Sequence, residues 1–139
     1  MSFKISIQSE CFTQENGAWI SEGIVKSTLP CRFLYRKNGS FSLSYDEKTD
    51  DFAASSRMTY EQEAQTLTLF RTGDTRYTAI FGREPCSFVY AVSSFAFDAC
   101  VNTESLAVKV NEKGGSIALS YILTLSDIPR RITLSCVIL

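Results

Sequence analysis

The chain lacks histidine altogether, the side chain that most often acts as a general base near neutral pH. A Ser-His-Asp or Cys-His catalytic arrangement is therefore impossible. It has five cysteines but no Cys-x-x-Cys pair, so the clustered thiolate and imidazole ligands of a zinc site are missing as well. We interpret the cysteines as small buried hydrophobic residues in a reducing compartment. The sequence predicts no catalytic residue, no metal site and no cofactor.

Other absences narrow the class of protein further. No apolar run approaches the roughly 20 residues of a membrane-spanning helix, and the first residues lack the regions of a secretory signal. We therefore expect a cytoplasmic protein without a membrane partner. A net charge of −1 is unlike the basic surface of a nucleic-acid-binding protein, so no nucleic-acid partner is expected. A length of 139 residues favours a single domain spanning residues 1–139.

What the chain has instead is alternation of apolar and polar residues, which is typical of β-strands with one buried face. The pattern is clearest in residues 104–139, which we interpret as a three-stranded meander with turns at residues 111–115 and 127–129. The middle strand of this meander is predicted to bury Ile117, Leu119, Tyr121 and Leu123. Such a face requires a partner sheet or closure of its own sheet.

Turn signals divide the rest of the chain into short strands. Asn16-Gly17 and Asn38-Gly39 each predict a hairpin, whereas Leu29-Pro30 is predicted to end the second strand and Gly23 to mark a bulge or bend within it. The acidic residues 46–51 are expected to form a loop.

Residues 50–64 are ambiguous, because their glutamate and alanine residues favour a helix whereas Met58 and Tyr60 fit a strand. We predict strand–turn–strand there. About ten short strands joined by turns predict an all-β, antiparallel up-and-down barrel of 8–10 strands. Closure of such a meander also removes exposed edge strands.

Four motifs in the same order resemble the YwiB-like family of small bacterial proteins. They are Tyr-Arg-Lys-Asn-Gly at residues 35–39 with Leu-Ser-Tyr-Asp-Glu at 43–47, Phe-Arg-Thr-Gly-Asp at 70–74 with Ile-Phe at 80–81, Leu-Ala-Val at 106–108, and Gly-Gly-Ser-Ile-Ala-Leu-Ser-Tyr at 114–121. At residues 90–95 the chain departs from the family's frequent Tyr-Thr-Pro-Tyr-Gly turn. The resemblance implies a lipocalin-like (calycin) barrel and, because the family has no established activity, assigns no functional residue.

Our first functional hypothesis is a non-catalytic binding module for a small apolar or amphipathic ligand inside the barrel. It requires a cavity of at least about 300 Å³ that opens to solvent. The candidate ligand-binding residues are Tyr45, Tyr90 and Tyr121, which combine an apolar ring with a polar tip, together with Arg71. Arg71 is predicted to lie on the apolar face of its strand. Glu22 is predicted to share a face with Ile20 and Ile24. Either such a charge lies at the solvated rim or, for Arg71, it anchors an acidic head group.

The alternative hypothesis is a protein–protein interaction or scaffold domain whose barrel is filled with side chains and which could form a homodimer. It predicts an exposed apolar patch on the outer surface. An enzyme using the carboxylates Asp46-Glu47 or Asp50-Asp51 ranks third, because an acidic loop is usually only solvated. The 16 phenylalanine and tyrosine residues alternate like core residues, which disfavours a platform for single-stranded nucleic acid.

Overall fold

The computed structural model describes residues 2–139 and shows a closed antiparallel barrel of ten strands. Each strand pairs with its neighbours in sequence, and β1 pairs with β10 to close the barrel. The strands are β1 (Phe3–Glu15), β2 (Ala18–Tyr35), β3 (Phe41–Lys48), β4 (Ala53–Glu61), β5 (Thr66–Gly73), β6 (Thr75–Phe81), β7 (Cys86–Val92), β8 (Phe95–Asn111), β9 (Gly114–Leu125) and β10 (Ile128–Ile138). The prediction of an all-β up-and-down barrel is confirmed. Within residues 2–139, no helix is long and apolar enough to cross a membrane.

The ambiguous segment folds as strand–turn–strand, as predicted. In β4 the side chains of Ala54, Ser56, Met58 and Tyr60 alternate inward, and a short turn leads into β5. The expectation that residues 46–51 form a loop is wrong for its first half. Residues 46–48 continue β3 and pair with residues 53–55 of β4, so only residues 49–52 form the connection.

Pro30 does not end a strand, contrary to the prediction, and β2 runs unbroken past it. Lys4, which lies opposite Pro30 in β1, exchanges its backbone hydrogen bonds with Leu139 beyond β10. In an antiparallel ladder the nitrogen of Pro30 then points away from β1. β2 pairs with β3 only from Cys31 onward, so the missing N–H removes no ladder hydrogen bond.

Two bulges bend the long strands and change which side chains face inward. The register between β1 and β2 shifts beside Gly23, which confirms the bulge predicted there. Because of this shift Ile20 and Ile24 lie on opposite faces, so the expectation that Glu22 shares one face with both is wrong. A second shift lies at Glu104, and β8 runs unbroken through it from Phe95 to Asn111.

The turn between β8 and β9 is shorter than predicted. Only Glu112 and Lys113 form the turn, and Gly114 and Gly115 begin β9. Both glycines have positive φ, and a Cβ at Gly115 would overlap the carbonyl oxygen of Lys109. The two glycines therefore allow neighbouring strands to approach closely at the start of β9.

Side chains fill the interior of the barrel. A ten-stranded barrel is wider than an eight-stranded one, and large inward-facing rings occupy the added space. Phe41 stacks on Tyr60 with ring centroids 5.5 Å apart, and Phe81 lies 4.6 Å from Tyr121. The cavity inside the core of residues 2–139 measures about 20 Å³. The predicted interior cavity of at least about 300 Å³ is therefore absent from the part of the chain that is described.

The wall of the barrel is weakest between β6 and β7. These strands share only two paired positions, Thr75 with Val92 and Arg76 with Ala91, whereas β5 and β6 share five. Beyond Arg76 the strands separate and the backbone ladder stops. We call this gap, bounded by residues 77–81 of β6 and 86–90 of β7, the β6–β7 seam.

Candidate functional site

The four residues singled out in the sequence all face the interior of the barrel from different strands. Tyr45 lies on β3, Arg71 on β5, Tyr90 on β7 and Tyr121 on β9. Tyr45 and Tyr121 are buried, and Arg71 and Tyr90 are partly buried. The structure joins them as two pairs rather than as one pocket: Tyr45 with Arg71, and Tyr90 with Tyr121.

Arg71 and Tyr45 lie on either side of Ser56, which is paired with both in the neighbouring strands. Arg71 donates to the carboxylate of Glu47 at 3.0 Å and to Oγ of Ser56 at 3.2 Å. The ring of Phe52 covers the guanidinium, with its centroid 5.5 Å from Cζ. Glu47 thus balances the charge of Arg71, which explains how an arginine is accommodated on an apolar face.

The acidic residues considered for catalysis take part in structural contacts or lie in solvent. Oδ1 of Asp46 accepts a hydrogen bond from Ser55 at 2.7 Å, and Glu47 is engaged by Arg71. Asp50 and Asp51 are exposed in the β3–β4 connection. Across residues 2–139, no three Cys, Asp or Glu side chains lie where they could share a metal ion.

Aromatic rings close the β6–β7 seam from the inside. Tyr77 of β6 stacks on Tyr90 of β7, with centroids 5.1 Å apart and planes inclined by 18°. Phe88 of β7 lies 5.6 Å from Tyr77. Behind these rings Tyr121 contributes to the lining of the 20 Å³ core cavity. Ring contacts, rather than backbone hydrogen bonds, therefore hold this part of the wall together.

A cleft of about 500 Å³ lies on the outer side of the same rings. Its floor is formed by Tyr77 and Phe88, and its sides combine apolar and cationic groups. The lining residues are Phe70, Arg71, Thr72, Arg76, Tyr77, Thr78, Phe88, Val89 and Ala91. Phe70 and Val89 are 47% and 58% exposed, so apolar surface is available to a bound molecule. We call this feature the β6–β7 cleft.

Arg76 brings a guanidinium group to the cleft. Its guanidinium donates to the carbonyl oxygens of Gly73 at 3.2 Å and Ser93 at 2.9 Å. These bonds fix the side chain between two turns without neutralising it. Among residues 2–139, Arg76 forms no ion pair. A fixed guanidinium with unused N–H groups is well suited to bind an anion.

The buried tyrosines are held in their neutral form. Burial raises the pKa of Tyr77 to about 12 and raises the pKa values of Tyr45 and Tyr121 further. Near neutral pH their hydroxyl groups are therefore protonated, and they add no negative charge beside Arg71 and Arg76.

Two further clefts open where other strands diverge. One, of about 440 Å³, lies at the fork between β2 and β3 and is lined by Tyr45, Cys31 and Asp46 among others. The second, of about 480 Å³, lies between the β4–β5 turn and β8 and is lined mainly by polar groups such as Gln62 and Arg83. Neither cleft combines an aromatic floor with two arginines.

Sequence reasoning did not select Tyr77, Phe88 or Arg76. Tyr77 alternates with the polar residues Arg76 and Thr78, and Phe88 shares a strand face with the selected Tyr90, so these signals were available. No sequence signal identifies Arg76, because the contact that fixes its far end, with the Ser93 carbonyl oxygen, joins residues 17 positions apart in the chain.

Comparisons with known proteins agree with this architecture. Over 98% of its length the chain matches 92% of the ywiB protein from Bacillus subtilis, a crystal structure, with a TM-score of 0.71 and 17% sequence identity. At this identity the likeness concerns the fold. A search of curated proteins found no match. Residues 5–132 match the family described as a domain of unknown function, DUF1934. The match covers most of the chain, and the protein therefore belongs to the DUF1934 family.

Proposed function

We propose that this protein is a non-catalytic binding module for small ligands that combine a planar apolar body with an anionic group. The observation that supports this most directly is the β6–β7 cleft, in which an aromatic floor lies beside Arg71 and Arg76. This proposal keeps the ligand type expected from the sequence and moves the site from the core to the wall of the barrel.

The size and chemistry of the cleft fit such a ligand. Its volume of about 500 Å³ lies within the range of small-molecule sites, roughly 300–1,000 Å³. Tyr77 and Phe88 offer ring surface for stacking, and Phe70 and Val89 extend the apolar area. Arg76 supplies N–H donors for a carboxylate, sulfonate or phosphate.

The proposal excludes catalysis because the cleft has no group suited to proton transfer near neutral pH. The chain has no histidine, and partial burial raises the pKa of the Tyr77 phenol to about 12. The carboxylate of Glu47 is held by Arg71.

Calorimetric titration with 1-naphthoate tests the proposal, since this probe has a planar apolar body and one carboxylate. We expect wild-type protein to bind it and to bind the neutral 1-naphthamide at least about tenfold more weakly, the loss typical of one charge-assisted hydrogen bond.

Two exposed valines supply a matched pair of variants. Val89→Glu places a negative charge in the cleft, whereas Val137→Glu places it on β10, and these valines are 58% and 39% exposed. Val89→Glu should weaken 1-naphthoate binding by about tenfold or more and Val137→Glu should leave it unchanged. Equal effects of the two substitutions, or no binding to wild-type protein, would contradict the proposal.

A second candidate function is the interaction domain with a filled barrel. It is favoured by exposed apolar side chains where β7, β8 and β10 meet their turns: Phe95, Phe97 and Ile128 are 67%, 41% and 60% exposed. Native mass spectrometry separates the two candidates. A dimer mass that disappears in Phe95→Ser/Ile128→Ser supports association through this end of the barrel, and a monomer with a bound small molecule supports the cleft.

A further inference from the structure

The rings of Tyr77 and Phe88 have two sides, each facing a different space. On the outer side they form the floor of the β6–β7 cleft. On the inner side the same two rings line the core cavity, together with Tyr121, Val101 and Leu123. A single layer of side chains therefore separates a solvent-accessible cleft from the centre of the barrel.

The backbones of β6 and β7 do little to hold these two rings in place. The ladder between β6 and β7 stops after Arg76 and Ala91, so no interstrand hydrogen bonds need to break when the rings at the seam move apart. The ring of Tyr77 contacts Phe88 at a centroid distance of 5.6 Å and stacks on Tyr90 at 5.1 Å, and both Tyr77 and Phe88 pack against the core. Such an aromatic contact contributes only about 0.5–1.5 kcal/mol beyond the area it buries.

We infer that Tyr77 and Phe88 form a movable partition, and that the natural ligand carries an apolar chain that passes between them into the core. This step rests on the proposed function and defines the ligand class more narrowly, as a planar anionic head group joined to a flexible hydrocarbon tail. The head group remains at Arg76 in the cleft, and the tail occupies an inner subsite at Val101, Tyr121 and Leu123.

The inner subsite is mainly apolar, although three of its lining residues, Tyr77, Tyr90 and Tyr121, are tyrosines. Val101 and Leu123 offer no hydrogen bond, and Tyr121 presents its ring beside Phe81. The core cavity of about 20 Å³ is too small for a chain until the partition opens, so tail binding and ring movement are coupled.

A series of benzoates with para-alkyl tails from methyl to hexyl tests this inference. If the tail enters the core, affinity for wild-type protein should rise by up to about fourfold for each buried methylene. The quantity to compare is the ratio of the benzoate Kd to the 4-hexylbenzoate Kd, because a change in head-group binding cancels in this ratio.

Phe88→Ala removes half of the partition, and Phe33→Ala is its control. Phe33 is a partly buried ring on β2 that contacts Phe3 and Phe41 away from the seam. We expect Phe88→Ala to raise the Kd ratio by about tenfold, since the tail no longer has to displace a ring, whereas Phe33→Ala leaves it unchanged. If Phe88→Ala does not fold, Phe88→Leu should change the ratio in the same direction.

Methyl NMR locates the tail directly. The terminal methyl group of 4-hexylbenzoate should show nuclear Overhauser contacts to the methyl groups of Val101 and Leu123. Contacts to Val89 alone, or affinities independent of tail length, overturn the inference while binding of benzoate still supports the cleft. Failure of benzoate and of every longer member to bind overturns both the inference and the proposed function.

Discussion

At the scale of single residues, the behaviour of Arg71 depends on one partner. Its side chain is only 16% exposed, and Glu47 satisfies its charge at 3.0 Å. A ligand anion in the β6–β7 cleft would compete with Glu47 for the same guanidinium. Arg71 could therefore contribute its positive charge to a bound anion only in place of its pairing with Glu47. Arg76 beside it forms no ion pair within residues 2–139.

Glu47→Gln should increase ligand affinity and decrease stability. We expect 1-naphthoate to bind about three- to tenfold more tightly, because Arg71 loses its charged partner, and the free energy of unfolding to fall by about 1 kcal/mol. Calorimetric titration and urea unfolding measure the two effects. The control is Glu61→Gln, which replaces an exposed carboxylate at the end of β4, next to the β4–β5 turn. It should change neither quantity. Weaker binding in Glu47→Gln would show that Arg71 does not contribute to the anion site.

Cys136 should be the least reactive of the five cysteines. Its side chain is fully buried, and burial raises the pKa of its thiol to about 12, so the nucleophilic thiolate is disfavoured. The other four cysteines are partly exposed. A thiol reagent near pH 8 should modify those four in the native protein and Cys136 only after unfolding. Equal rates for all five would contradict the burial of Cys136.

At the scale of strands, one group of side chains on the outer surface connects the β1–β2 hairpin with β8 and β10. Arg131 of β10 binds Glu104 at the β8 bulge through two hydrogen bonds of 2.9 and 3.0 Å. The same guanidinium lies over the ring of Trp19, 4.9 Å from its centroid. The hydrogen bonds from Arg131 lower the pKa of Glu104 below its ordinary value of 4.5.

This contact should stabilise the protein less as the solution is acidified. Because the pKa of Glu104 is lower in the folded state, its contribution is fully present above the unfolded value and disappears as pH falls through the folded value. The contribution should be below about 1 kcal/mol, since the two side chains are about one-third exposed. Urea unfolding should show Glu104→Gln less stable than wild type at about pH 6 and equal to it near pH 2. A difference that persists unchanged at the lower pH would contradict this assignment.

The glycines at the start of β9 provide a second test of an individual element. At Gly115 a Cβ would overlap the Lys109 carbonyl oxygen, whereas at Gly17 it would meet nothing within 4 Å. Both residues have positive φ, so Gly17→Ala is a control for backbone strain alone. We expect Gly17→Ala to cost about 1 kcal/mol and Gly115→Ala about 3 kcal/mol in unfolding free energy. Equal costs would show that the close approach of β8 is not important for stability.

Sequence patterns predict the strands well because alternation and turn chemistry are local properties. The buried face of β9 and the strand–turn–strand at residues 50–64 were both predicted from such patterns. The continuity of β2 through Pro30 could not be predicted from the sequence. It depends on which edge of the strand is hydrogen-bonded to a neighbouring strand at that residue. The same limit applies to Ile20 and Ile24, since one bulge residue reverses the face on which every later side chain lies.

At the scale of the whole molecule, the number of strands and the size of the inward side chains together decide whether the barrel is hollow. Tyr45, Tyr90 and Tyr121 were predicted on inward faces, and they lie there. Alternation alone does not reveal that rings from opposite strands meet, as Phe81 and Tyr121 do at 4.6 Å. The gap between β6 and β7 is also a property of the closed barrel, because it arises where two adjacent strands diverge.

The proposed ligand site lies where the barrel wall has the fewest paired positions, between β6 and β7. An amide NMR titration of uniformly ¹⁵N-labelled protein with 1-naphthoate tests this claim most directly. The largest shift changes should fall in residues 70–78 and 88–92, which border the β6–β7 cleft. Changes centred on residues 30–32 and 44–46, at the fork between β2 and β3, or no changes at saturating probe concentrations, would contradict it.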